Sequence, residues 1–225
     1  VTEMDAPEYS EYASELQEMK EKRAKMEASL WDTALYITEL RSKECSKRLQ
    51  RAMELFNSGN NKGANEILKV EEIDNDVEYN FHLIQLGEQG KKGLKINIEE
   101  YKLKIKTLAN EFAVGWREKV LELHQKIVNI SKELYGEQSP GYAYALREQG
   151  VAFRLLGKHP ESFESHNLSL TILKSNFGEN HPETAHAFNY VGIEYGELGE
   201  HQKSLEYLLK ALNILLSIFG ESHPD

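Results

Sequence analysis

Apolar residues recur at three- and four-residue intervals along most of the chain, the spacing of one face of an α-helix. The clearest run is Leu205, Leu208, Leu209, Leu212, Leu215, Leu216 and Phe219. It predicts a helix from Gln202 to Phe219, stopped by Gly220. A second helix is predicted just before it, from Glu183 to Leu198, and ends at Gly199, where a left-handed residue is wanted. One such hairpin cannot bury both of its apolar faces, whereas stacked hairpins can. The expected fold class is therefore all-α, an α-α superhelix.

The hairpin repeats. Pro140, Pro182 and Pro224 recur every 42 residues, preceded by LYGEQSP, FGENHP and FGESHP. The same offset aligns Gly115, Gly157 and Gly199, then Leu121, Phe163 and Leu205, then Ile130, Ile172 and Ile214. Tyr135, Phe177 and Phe219 fall into register, each followed by glycine. Agreement at this many positions identifies a fixed structural unit. Each unit is a first helix A and a second helix B.

The unit resembles the tetratricopeptide repeat. Gly150 and Gly192 stand at the small crossing position, Phe153 and Tyr195 are the late aromatics of helix A, and Gly157 and Gly199 make the turn. Ser162 and Ser204, then Ser169 and Ala211, are the small positions of helix B. The usual repeat is about 34 residues. The longer step and the F-G-E-x-H-P string are similar to the kinesin light chain type. The resemblance implies three units, 98–139, 140–181 and 182–225. In the first, Leu108 and Glu111 replace the small residue and the aromatic, so its packing is expected to be irregular. The string His223-Pro224-Asp225 sits where another helix A should begin, so the array is expected to be truncated. Helix B of the last unit should then expose some of Leu208, Leu212, Leu215 and Phe219.

Upstream, residues 49–75 match the pattern loosely through Ala52, Phe56, Gly59, Ala64 and Leu68, but Gly59 lies 56 residues from Gly115. Residues 76–97 hold Gly87, Gly90 and Gly93 and are expected to form an irregular connection with a short helix from Val77 to Leu86. Residues 1–48 begin a charge-rich, amphipathic helical stretch running from Glu8 to Phe56. Leu16, Met19, Met26, Leu30, Ile37 and Leu40 form its stripe, broken by Arg23 and Thr33. It is expected to form long N-terminal helices that cap the first repeat, with a coiled-coil dimer seam as the alternative.

Composition narrows the function. The net charge is −10, which argues against nucleic acid as a partner. No apolar run is long enough to span a membrane. A single cysteine, Cys45, fits a reducing cytoplasmic setting and reads as a packed side chain in a helix. The eight histidines lack metal-ligand spacing. His181 and His223 recur with the loop and read as helix-start chemistry, while His159 and His201 sit at a tolerant inner turn. His82, His124 and His166 have no Cys or carboxylate at ligand spacing. GEQGKKG, residues 87–93, lacks the spacing and the Ser/Thr of a phosphate loop. No catalytic residue, metal or cofactor is expected.

The resemblance implies that helix A lines a concave partner-binding groove. The positions are Lys102, Ile105, Ala109 and Phe112, then Tyr144, Arg147, Val151 and Arg154, then His186, Asn189, Ile193 and Gly196. None is acidic, and Lys102, Arg147 and Arg154 are basic, so an acidic or C-terminal peptide segment is one expected ligand. The other reading pairs the two arginines with Glu148, Glu194 or other neighbours. A scaffold or adaptor binding protein or peptide is the leading function. Two alternatives are a peptide-responsive regulator hinged near residues 71–97 and the interaction region of a larger enzyme. Self-association is expected through the N-terminal helix or the exposed last repeat.

Overall fold

The computed structural model describes residues 45–84, 87–111 and 114–220, together with Gln17 and residues 19–21. Most of the N-terminal amphipathic stretch, Phe112, and the His223-Pro224 pair lie outside these residues. Among the described residues every regular element is an α-helix. In chain order they are α1 Lys47–Asn57, α2 Asn61–Ile67, α3 Val70–Ile84, α4 Glu88–Glu111, α5 Trp116–Tyr135, α6 Pro140–Leu155, α7 His159–Phe177, α8 Pro182–Glu197 and α9 His201–Phe219.

The chain divides into two compact units. One takes residues 1–69 and 106–112; the other takes 70–105 and 113–225. In the first, α1 and α2 form a hairpin turned by Gly59 at φ 81°. Ser46 caps α1 by accepting from the Leu49 N–H at 3.0 Å, and Asn60 caps α2 by accepting from the Gly63 N–H at 2.8 Å. Ala52, Phe56, Ala64 and Leu68, all expected at packing positions, are buried. Cys45 and Ser46 are not helical, and α1 starts at Lys47. Cys45 is a free, half-buried thiol just before the cap.

In the second unit the described residues of 76–97 are more regular than expected: they carry the end of α3, where a short helix was expected, and the start of α4. Only Gly87, at φ 120°, acts as a breaker. Gly93 lies within α4 where α3 approaches closely, and a Cβ there would overlap the Asn80 side chain. Asn80 donates to Asn97 Oδ1 at 2.8 Å, and Asp74 accepts from the Tyr101 hydroxyl and from Lys126 Nζ, tying α3, α4 and α5 together. α4 covers the range expected for helix A of the first unit and begins ten residues before the expected start at 98.

The later units follow the pattern closely. Pro140 and Pro182 both sit at the first helical position, where a missing N–H costs nothing. Ser139 accepts from the Tyr142 N–H at 3.1 Å, and His181 Nδ1 accepts from the Glu183 N–H at 3.2 Å. Glycines 115, 157 and 199 have φ of 73°, 69° and 81°, and glycines 136, 178 and 220 have φ of 86°, 83° and 77°. Helix pairs α5·α6, α6·α7, α7·α8 and α8·α9 pack in succession. The small positions of α7 also bind α6 by polar contacts. Ser162 donates to the Gly150 carbonyl at 2.8 Å and Ser169 to the Ala143 carbonyl at 2.7 Å.

Candidate functional site

The helix-A faces of α6 and α8 carry most of the expected groove positions. Tyr144, Arg147, Val151 and Arg154 lie along α6, and His186, Asn189 and Ile193 along α8. All are half-buried except His186, which is exposed. On α4, Lys102 and Ile105 are half-buried, and Lys102 pairs with Glu99 at 3.1 Å. Phe112 lies outside the described residues.

Arg147 joins the two faces. Its Nη1 faces Glu183 Oε2 at 3.3 Å and its Nε faces Glu148 Oε1 at 3.3 Å. The guanidinium lies over the Tyr144 ring at 5.3 Å and the Tyr190 ring at 5.9 Å, within cation–π range. Burial is the main cause that keeps the Tyr144 hydroxyl protonated above the usual range, with Glu183 adding to it and Arg147 opposing. Neither Tyr190 nor Glu183 was among the expected groove positions. The helix period that places Arg147 on the face also brings the start of the next helix A beside it, a relation visible only across units.

Arg154 leads into a buried charge cluster. Its Nε is 3.8 Å from Glu194 Oε1, and Glu194 is fully buried. His166 Nδ1 is 3.5 Å from the same oxygen, and His159 Nδ1 is 3.6 Å from Oε2. At these distances the contacts are not hydrogen bonds. Burial, the largest influence, pushes the Glu194 carboxyl up; His166, Ser162 and Arg154 outweigh it and hold it below the ordinary value. Two contacts were not expected: His159, beside the inner turn, and His166 both face the Glu194 carboxylate. Ligand spacing in sequence misses them because Glu194 comes from the next unit. The arginine pairings with Glu148 and Glu194, the second reading of the sequence, are present.

His124, the counterpart of His166 one unit earlier, lies in different surroundings. Burial is the main cause of a pKa lowered to about 4, with Glu148 opposing and Lys102 adding to it. Among the described residues no group of three or more His, Cys, Asp or Glu could hold a metal ion. No helix among them is long and apolar enough to cross a membrane.

These features define a class: a helical repeat array whose exposed helix faces hold posed polar and aromatic groups. Residues 149–217 match the tetratricopeptide repeat family. Within that stretch the chain carries repeats of this type. Its fold is similar to that of BtubC (BKLC) from P. vanneervenii, with a TM-score of 0.51 at 16% identity over 89% of this chain and 77% of that one. A Podosopora anserina structure of nearly identical TPR-like repeats gives a TM-score of 0.45 at 15% identity, covering 81% and 97% of the two chains. The MamA protein gives 0.38 at 18% identity, covering 75% and 90%. No curated protein matches the chain.

Proposed function

We propose that the chain is a protein-interaction scaffold whose helix-A faces on α6 and α8 receive a segment of a partner protein or peptide. The observation that carries this reading is the posture of Arg147. Two tyrosine rings and Glu183 hold its guanidinium in place, so little entropy is lost when a ligand docks. A guanidinium has five donors, and only Nε and Nη1 face protein carboxylates here, leaving donors for an acidic side chain or a C-terminal carboxylate. Val151 and Ile193 supply half-buried apolar contact on the same helices. Arg154 contributes less, since its charge is directed at Glu194. The acidic balance of the chain gives no attraction to nucleic acid. Self-association through the last repeat belongs to the same reading.

The test is peptide binding by fluorescence anisotropy, with acidic peptides carrying a free or an amidated C-terminus. The expected result is at least tenfold weaker binding to Arg147→Ala and to Arg147→Lys, because Lys lacks the fork. Equal affinity for wild type and both variants, with their melting curves unchanged, would refute a role for this face.

A further inference from the structure

The outer face of α9 is a leucine stripe. Leu205, Leu209, Leu212 and Leu216 lie at alternating four- and three-residue steps, the d-a-d-a order of a coiled-coil seam. They are 52%, 47%, 49% and 38% exposed. The inner face of the same helix is separate and already used: Ala211 and Ile214 are buried, and Leu208 lies against Gly192.

Comparison within the array shows what this stripe is built for. On α7 the same four positions are Phe163, Asn167, Leu170 and Lys174. Leu170 is buried and Phe163 stacks edge-on with Tyr195 of α8, so the next helix A covers those two. Asn167 and Lys174 stay exposed although α8 is in place. On α5 the corresponding residues, Gln125 and Lys132, are again polar and exposed. A stacked repeat helix therefore touches these two positions only through polar or cation–π contacts, Gln149 donating to Gln125 at 2.6 Å and Lys174 lying 6.0 Å from the Phe188 ring, and leaves both exposed; both earlier units make them polar. Only α9 makes them leucine, at 209 and 216. Its occupant must sit astride all four positions, as one helix of a coiled coil sits on another.

We propose that this occupant is a second copy of the chain, with α9 paired against α9 of its mate. The proposal rests on the self-association reading above and names its surface. The stripe is self-complementary, since every layer brings leucine to leucine. Glu206 and Asn213, both exposed, flank it, so no cluster of like charge opposes the approach. An antiparallel arrangement also opposes the two helix dipoles favourably. One stripe of four leucines offers on the order of 400 Å² per copy, about half of a standard stable interface when doubled to ~800 Å² against ~1,600 Å². The pairing is therefore weak and reversible, with a dissociation constant in the micromolar range.

Sedimentation equilibrium on the wild-type chain and on L209N/L216K tests it. Those two residues are the ones α7 carries at the same positions, so the variant keeps a surface this fold already tolerates. A concentration-dependent monomer–dimer equilibrium in wild type, weakened at least tenfold in the variant with an unchanged helical signal, is the expected outcome. Wild type that stays monomeric through the micromolar range overturns both the self-association reading and the seam. A dimer that is insensitive to L209N/L216K leaves self-association standing and overturns the seam. Should the double variant lose helical signal, Leu209→Asn alone is read in its place against the same two outcomes.

Discussion

His166 Nδ1 stands 3.5 Å from Glu194 Oε1, and both side chains are buried. On its other side, His166 Nε2 is 3.1 Å from the Arg147 carbonyl. A carbonyl only accepts, so that nitrogen carries a hydrogen. A neutral ring would then aim a lone pair at the carboxylate. The two groups thus face each other out of water without a hydrogen bond between them.

Removing one member of such a pair costs more than removing both, because it strands the other. The residues in register elsewhere in the array are Leu208 for His166 and Ala152 for Glu194. His166→Leu alone should destabilise the fold by about 3 kcal/mol. The H166L/E194A pair should lose at least ~1 kcal/mol less than the sum of the two singles. Urea unfolding of the four proteins closes the cycle, and strict additivity would show that the two side chains are not coupled.

His124 makes stability depend on pH. Burial lowers its pKa from 6.5 to about 4, so the folded chain keeps it neutral where the unfolded chain takes up a proton. Between pH 6.5 and 4 the unfolded state binds more protons, and stability falls as pH falls, by up to about 3 kcal/mol. Above pH 7 the effect vanishes. His124→Leu should flatten that part of the denaturation midpoint against pH; an unchanged slope would place its origin elsewhere.

Gly150 and Gly192 occupy the same crossing but tolerate a methyl group differently. A Cβ on Gly150 would lie 2.4 Å from His166 Nε2, a ring held on both sides. On Gly192 it would meet Leu208 Cδ2 and Cγ at 3.0 Å and the Leu208 backbone nitrogen at 3.2 Å, a looser approach. Gly150→Ala should cost about 1–3 kcal/mol through overpacking. Gly192→Ala should cost at least ~1 kcal/mol less, helped by the better helix propensity of alanine. Thermal melts of the two variants decide the order.

The cap at α8 gives a smaller effect. His181 accepts from the Glu183 N–H and stacks on Phe177 at 4.5 Å between ring centroids. His181→Ala should cost about 1 kcal/mol, and His181→Ser should recover part of it by restoring an acceptor. Equal stability of the Ala and Ser variants would mean that the ring contact outweighs the cap.

Much of this was legible in the chain. The Pro140 and Pro182 helix starts and the Gly157 and Gly199 turns follow from backbone chemistry that depends on few neighbours. The same logic misread Gly90 and Gly93. A glycine that breaks a helix and one that lets another helix approach look alike until the partner, here Asn80, is known. The groove positions were readable from helical period, but what surrounds Arg147 and Arg154 was not. Tyr190, Glu183 and Glu194 all arrive from the following unit, and their distance in sequence hides their distance in space. Likewise the leucines of α9 read as one apolar run, and only burial separates the inner face from the outer stripe.

In the three units from α4 to α9, both ends of each hairpin turn on a glycine with positive φ. At those corners the backbone takes a mirror-handed form that side chains resist, so the corners tolerate almost no replacement. A gene that grows by copying one repeat's worth of codons inherits its corners intact and needs no new invention to fold. Drift is then free to work on the faces in between, where new acquaintances are made.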